Sequence, residues 1–402
     1  MQQPETLRST QGYDLLFYFC CGIYLLVGVS HVFWGAISPM ALQEMEGTAT
    51  DLSVLLFSQF SGFLVGVLLT PVIVPRLGQR LHIALGIVLA FSALLVMLTV
   101  DSLAGLALAG AVLGVGGGSL ETGAAALILG PGRSPRQLSI LEIFFGLGAL
   151  GFPLIVFFNS GAINWQGLVL GMSAFAGLLL ISWLTCYRLL SADETSPGDS
   201  LTVAKVRPVE RRGGTGWAAT SLVGFAFVYA GVETNAANFL PQILGASEGH
   251  SEAVLSVSLF WIGIVTGRML TGILAERSVV PPALIIMTTG LLLSTLCLLL
   301  LGLPDTRTSF VWITLMGFSA GGIFPSTLTM ATRFANRPAR TTTSFFVAAA
   351  SLGGALISLP VGLVIDRWSG EGGTLLFALL CLVMLGIATT VAIGLRRKRT
   401  PQ

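Results

Sequence analysis

Ionisable side chains are scarce inside the long apolar runs of this sequence, and His31, Glu121, Glu142, Glu233 and Arg268 are the ones that lie there. Removing a charge from water is costly, so each marks a place where protons or polar cargo could be handled. Glu121 stands in Gly116-Gly-Gly-Ser-Leu-Glu121-Thr122-Gly123. The small neighbours let a helix or a cargo molecule approach closely. A carboxyl group there could load and release a proton; alternatively it stays neutral and hydrogen-bonds a neighbouring helix. Glu142 lies one turn into the fifth apolar run, and Arg268 about two turns from the end of the eighth. A Glu142–Arg268 ion pair could close an inner gate, or it could be a static structural pair. Arg268 could instead neutralise Glu121.

The densest polar run inside an apolar stretch is Glu233-Thr234-Asn235-Ala-Ala-Asn238-Phe-Leu-Pro241-Gln242. Asn235, Asn238 and Gln242 share a face at helical spacing. Carboxamides both donate and accept hydrogen bonds, which suits the hydroxyls of a neutral polyol. The same groups could equally bond neighbouring helices. Pro241 weakens the local backbone and permits bending. Glu233 points to a different side of that helix. Gln59 is a further polar candidate. Trp34 and Trp261 could stack on the apolar face of a sugar ring or serve packing alone. His31, three residues before Trp34, is a lone histidine that could act or simply pack.

These residues must be held by elements that cross a membrane. Charged residues are only 10% of the 402, against about 25% in a typical soluble domain. Hydrophobic residues are 54%, before counting 49 glycines. Such a chain cannot cover a water-facing surface, which excludes a soluble enzyme or a disordered protein. A net charge of +2 gives no footprint for nucleic acid. Apolar runs near 14–40, 53–75, 82–100, 104–129, 138–158, 167–189, 217–243, 253–275, 280–302, 309–332, 342–365 and 373–395 predict twelve transmembrane helices. Lipid cannot hydrogen-bond a backbone, so each must be helical. The first run reads as an anchor that stays in the mature protein rather than a cleaved signal.

With the N-terminus inside, eighteen Lys and Arg residues fall on the cytoplasmic side and only Arg307 and Arg367 outside. The positive-inside rule therefore predicts cytoplasmic N- and C-termini. Residues 190–216 form the longest polar stretch, a cytoplasmic linker between 1–189 and 217–402, with its basic part against anionic headgroups. Cys20, Cys21, Cys186, Cys297 and Cys381 all lie in apolar stretches without metal-ligand spacing, so neither a metal site nor a disulfide is implied. GVGGGS (114–119) has no GK[ST] after it and no strand before it, so it is a helix-packing face rather than a phosphate loop. No Ser/His/Asp or Cys/His arrangement stands out, and no enzyme and no cofactor are expected.

The halves repeat. Gly62 and Gly66 match Gly263 and Gly267, and Phe144-Phe145 matches Phe345-Phe346, at an offset of 201. LGVGGG (113–118) matches MGFSAGG (316–322) near 203. A duplicated six-plus-six organisation with a midpoint linker is that of secondary transporters. Gly272-Ile-Leu-Ala-Glu276-Arg277 resembles the cytoplasmic loop motif of the major facilitator superfamily. In the first half the motif is degraded: Pro71 and Pro75 stand where Gly and Asp are expected, while Arg76, Gly78 and Arg80 remain.

The stretches GGGSLETGAAALILG (116–130), LEIFFGLGALGFPL (141–154), YAGVETNAANFLP (229–241), SVSLFWIGIVTGRMLTG (256–272) and AGGIFP (320–325) carry a wider likeness. Together they resemble the fucose–galactose–glucose–proton symporter branch of that superfamily, and within it the bacterial glucose/mannose–proton symporters. The resemblance implies an all-α major facilitator fold with two six-helix bundles, working by alternating access. It also places a proton-linked carboxylate at Glu121. The fucose symporters have in addition an acid in helix 1 and an asparagine early in helix 5. Here His31 lies near the first of these, and Phe145-Gly146 occupy the second. A second proton task would then fall to Glu142 or His31.

The resulting expectation is a monomeric, multi-pass plasma-membrane protein, of a bacterial inner membrane, importing a glucose- or mannose-like hexose with a proton. Glu121, Glu142 and His31 would handle the proton. Gln59, Glu121, Asn235, Asn238, Gln242, Trp34 and Trp261 would hold the sugar, and Glu142 and Arg268 would gate. The alternative is a proton-antiport exporter of apolar or cationic drugs. A membrane sensor or scaffold is a third reading.

Overall fold

The computed structural model describes residues 3–128, 135–159, 161–186, 216–245, 250–274, 277, 279–303, 305–336 and 339–397. The expected linker at 190–216 lies outside the described residues, as do Ala275 and Glu276 of the loop motif. The described chain is helical throughout. Its elements are α1 (Gln3–Glu44), α2 (Ala49–Leu77), α3 (Gln79–Met97), α4 (Leu103–Ile128), α5 (Pro135–Phe158) and α6 (Trp165–Cys186). There follow α7 (Gly216–Leu244), α8 (His250–Ile273), α9 (Pro281–Cys297), α10 (Thr306–Gly321), α11 (Ile323–Phe334) and α12 (Ala339–Arg397).

Local chemistry sets the ends. Gly78 turns the chain between α2 and α3 at φ 77°, a backbone conformation suited to glycine. Pro281 and Pro282 open α9, where a missing N–H costs nothing. Asp305 caps α10 by accepting from the Thr308 hydroxyl and from its N–H at 3.0 Å, and these bonds hold its carboxyl below the ordinary carboxylate range.

Ten segments among the described residues are long and apolar enough to cross a bilayer. One, Thr341–Arg396, is broken at Trp368 and Ser369, where φ/ψ leave the helical region, and so provides two crossings. The other addition is α7, whose polar run lowers its hydropathy. Its 29 residues still span about 43 Å, more than the roughly 30 Å of hydrocarbon. Arg307–Phe334 joins α10 and α11 into one crossing. The protein is therefore an all-helical membrane protein, with twelve crossing segments among the described residues, close to the sequence-predicted boundaries.

The chain divides into two compact units. The first is Met1–His31, Ser61–Ala149 and Ile163–Arg207; the second is Val32–Phe60, Leu150–Ala162 and Pro208–Gln402. Within the first, α2 and α4 approach so closely that a Cβ on Gly62 or Gly66 would collide with the carbonyls of Ala111 or Val115. Within the second, Gly263 and Gly267 of α8 meet the carbonyls of Thr314 and Phe318 of α10 in the same way. The internal repeat is thus a repeat of backbone-to-backbone contacts, which only glycine permits.

A polar knot also ties the first unit. The Thr70 hydroxyl donates to the Gly66 carbonyl at 2.9 Å, which leaves its oxygen as an acceptor. The buried His82 Nε2 lies 3.1 Å from that oxygen and 3.2 Å from the Ser119 carbonyl, so its N–H serves both. Gln79 Nε2 donates to the Gly123 carbonyl at 2.6 Å. These bonds join α2, α3 and α4 beside Glu121.

In the second unit the end of α1 and the start of α2 are latched to α7 and α12. Gly35 N–H donates to Asn238 Oδ1 at 3.0 Å, and Gln242 Nε2 donates to Ser38 Oγ at 2.6 Å. The Asp366 carboxylate accepts the N–H groups of Ala49 at 2.9 Å and Thr50 at 2.8 Å. Asp366 therefore caps a helix more than three hundred residues away in sequence, where its negative charge meets the positive end of α2. Nearby, the Ser358 hydroxyl donates to the Ser53 carbonyl at 3.2 Å. Losing an N-cap costs about 1 kcal/mol, which is about a fivefold change in an equilibrium. Asp366→Ala is accordingly expected to raise the labelling rate of a cysteine introduced as Ser53→Cys about fivefold with a membrane-impermeant maleimide. An unchanged rate would show that the cap does not hold α2.

Candidate functional site

In the first unit α1, α4 and α5 converge around a buried tyrosine. The hydroxyl of Tyr24 donates to the main-chain carbonyl of Glu121 at 3.4 Å. The carboxylates of both Glu121 and Glu142 are close enough to act electrostatically on that hydroxyl. The glycine run explains which way Glu121 faces. Gly116 packs on Gly86 and Ala90 of α3, and Gly118 packs on Phe63 and Val67 of α2. The glycine face is thus taken up by helix packing, while the Glu121 backbone lies against α1. Glu121 and Glu142 are each half-buried. His31, seven residues beyond Tyr24 on α1, sets its ring edge-on to Phe145 at 5.4 Å. The three expected proton-handling residues thus belong to one unit, gathered on α1, α4 and α5.

The second unit holds the polar groups of α7. Asn235 is fully buried. Its Nδ2 donates to the carbonyls of Gly231 at 2.8 Å and Gly354 at 3.2 Å, while its Oδ1 has no partner among the described residues. Asn238, also fully buried, is engaged at both ends, by Gly35 N–H and by the Thr234 carbonyl at 2.9 Å. Gln242 gives its Nε2 to Ser38, and its Oε1 has no partner among the described residues. Trp34, next to Gly35 in the α1–α7 contact, is buried, and its Nε1 has no partner among the described residues. Gln59 and Trp261 are buried in the same unit. A buried polar atom left without a bond costs about 1–3 kcal/mol and calls for an explanation. Two accepting oxygens and one donating N–H form a set that hydroxyl groups, which donate and accept, can satisfy.

Arg268 has a neighbour in its own unit that sequence reasoning did not name. Glu142 belongs to the first unit and Arg268 to the second. Within its own unit Arg268 Nη2 lies 3.8 Å from Glu233 Oε1. Helical phase places Glu233 off the Asn235 face but cannot name its neighbour. Tyr24, Tyr229, Ser38 and Asp366 were also missed. The two tyrosines carried a signal, since they lie 205 residues apart, close to the repeat offset. The Tyr229 hydroxyl donates to the Ala320 carbonyl at 2.9 Å, as Tyr24 does to Glu121.

The family model described as Major Facilitator Superfamily matches residues 18–358. The chain belongs to the major facilitator superfamily. It is similar over most of its length to the glucose/mannose transporter GlcP of Bacillus subtilis (strain 168), at 31% identity over 391 residues, which is 96% of this chain and 93% of that relative. Among solved structures it resembles a bacterial homologue of the human lysosomal transporter Spinster in an inward-facing, unoccupied conformation. That likeness has a TM-score of 0.74 at 14% identity and covers 100% of both chains. It also resembles a variant of the E. coli fucose:proton symporter FucP, with a TM-score of 0.61 at 16% identity, over 94% of this chain and 99% of the other. At such identities the structures show the fold alone. As a superfamily member the chain is a multi-pass secondary transporter of small molecules and not an enzyme.

Proposed function

We propose that this transporter imports a hexose of the glucose/mannose type together with a proton, across a bacterial plasma membrane, by alternating access. It acts as a monomer whose six-helix halves, 1–189 and 217–402, are joined by the 190–216 linker. The observation that carries the reading is the set of buried, partly unbonded carboxamide and indole groups along the α1–α7 contact. The likeness to a glucose/mannose transporter over 96% of the chain supports the same substrate class.

Glu121 takes up the proton, with Glu142 or His31 as its exchange partner. Asn235, Gln242 and Gln59 bond the sugar hydroxyls, and Trp34 or Trp261 lies under the ring. Asn238 is engaged with Gly35, so it reaches cargo only when α1 moves away from α7. Glu142 and Arg268 close the inner side when they meet. Sugar and proton each bind one state of the transporter better than the other, and that difference couples them.

Reconstituted into proteoliposomes, the protein is expected to accumulate radiolabelled glucose or mannose when the outside is acid, and to stop when an uncoupler is added. Equilibration without accumulation would remove the proton from the mechanism. Proton-driven drug movement with no sugar counterflow would establish the exporter reading instead.

A further inference from the structure

We infer that Tyr229, Glu233 and Arg268 clamp a proline-made break in the tenth crossing segment, and that the Glu233–Arg268 pair is a positioning element of the transport cycle. The argument starts from Pro325. A proline has no N–H, so the carbonyl four residues earlier, that of Gly321, loses its helical donor. The helix breaks there: α10 ends at Gly321, Gly322 stands as a turn, and α11 begins at Ile323. A bare carbonyl inside a bilayer is costly, so another donor must reach that of Gly321. Donors from two neighbouring helices bond here, one to Gly321 and one to the adjacent Ala320, whose carbonyl also accepts the Gly322 N–H. The hydroxyl of fully buried Tyr229 on α7 donates to the Ala320 carbonyl at 2.9 Å. The Nε–H of Arg268 on α8 donates to the Gly321 carbonyl at 3.4 Å.

Arg268 is in turn held by Glu233 at 3.8 Å, with side chains 28% and 12% exposed. The Tyr229 hydroxyl also lies in hydrogen-bonding range of Glu233. Two residues of α7 and one of α8 therefore grip two consecutive carbonyls at one break. The fit is tight on the α8 side, where a Cβ on Gly321 would strike the Ile264 carbonyl and one on Gly322 the Thr271 side chain. On the other side Phe324 rests between the rings of Tyr229 at 6.5 Å and Phe346 at 5.2 Å.

The first repeat provides the comparison. There Tyr24 bonds the Glu121 carbonyl of α4, about one helical turn beyond the position equivalent to Ala320, and α4 has no proline and runs unbroken from Leu103 to Ile128. The flexible joint is thus peculiar to the second half. Its stiffness depends on a charge pair, because neutralising Glu233 removes the carboxylate that stands 3.8 Å from Arg268 Nη2 and so weakens the hold of Arg268 on Gly321. This inference rests on the protein being a transporter and not on the identity of its cargo.

Hydrogen exchange on the purified, substrate-free protein tests it. Glu233→Gln is expected to speed amide exchange in peptides covering residues 318–328 about tenfold, with α4 peptides unchanged. Pro325→Ala returns the missing N–H and is expected to slow the same peptides. In the Pro325→Ala background the effect of Glu233→Gln should fall to about twofold or less. In glucose counterflow, with rates expressed per folded, monodisperse transporter because a loss of folded protein alone would also lower the maximal rate, Glu233→Gln is expected to lower that rate about tenfold while leaving the half-saturating concentration within about twofold. Exchange at 318–328 that is the same in wild type and Glu233→Gln overturns the clamp. If Glu233→Gln does not fold, unaltered exchange in Pro325→Ala overturns it as well. Absence of glucose counterflow in the wild type would count against the hexose reading alone, with the exchange data still deciding the clamp.

Discussion

Glu121→Gln is expected to abolish proton-driven accumulation of sugar while leaving sugar counterflow intact. A glutamine has the shape and neutrality of the protonated acid but cannot release a proton. The variant would therefore behave as a permanently loaded carrier, able to exchange cargo and unable to couple it. The expected size follows from the driving force. An inward gradient of about one pH unit is worth about 1.4 kcal/mol per proton, or about tenfold accumulation at one proton per sugar. Wild type should approach that ratio, and Glu121→Gln should stop near equality. The Glu121 backbone receives the Tyr24 hydroxyl, and Glu142 acts on the same hydroxyl. Accumulation by Glu121→Gln at the wild-type ratio would remove Glu121 from the coupling role and transfer attention to Glu142.

The largest structural effect is expected from Gly353→Val. A Cβ at this position of α12 would collide with the main-chain carbonyl of Phe227 on α7. The obstacle is backbone rather than the tip of a flexible side chain, so relief requires the two helices to separate. Overpacking of even a deformable core costs about 1–3 kcal/mol, and rigid helix pairs lie at or beyond the upper end. Gly224 on α7 is the control, with nothing within 4 Å of its Cβ position. Gly224→Ala should be neutral or gain up to about 1 kcal/mol from helix propensity. Fluorescence size-exclusion chromatography after graded heating checks both. A monodisperse peak for Gly353→Val at wild-type temperatures would show that the α7–α12 approach is looser than the structure gives it.

How much of the molecule could be read in advance depended on the range of the interaction involved. The crossing segments were legible because lipid allows a backbone no partner but itself, so an apolar run of sufficient length has one outcome. Even α7, with its polar run, and the two crossings within α12 followed from run length and charge placement. The glycine repeat was legible for a related reason. Gly62 and Gly263 stand where backbones touch, and a residue lacking a side chain records that contact in the sequence itself.

Side-chain partnerships were another matter. The spacing of Asn235, Asn238 and Gln242 gave their shared face but not that Asn238 holds Gly35 while an oxygen of Asn235 keeps spare capacity. Asp366 reads as a loop acid until α2 is placed over it. Arg268 could have met any of three carboxylates, and Glu233 is the one beside it in its own unit. Composition and periodicity determined by themselves that this is an all-helical, multi-pass membrane protein with duplicated glycine packing, because those features depend on solvent and on local backbone geometry. Only the tertiary structure decided which polar groups satisfy each other and which buried polar atoms have no partner among the described residues. Such pairs join residues tens to hundreds of positions apart, and helical phase specifies a direction without specifying what stands there.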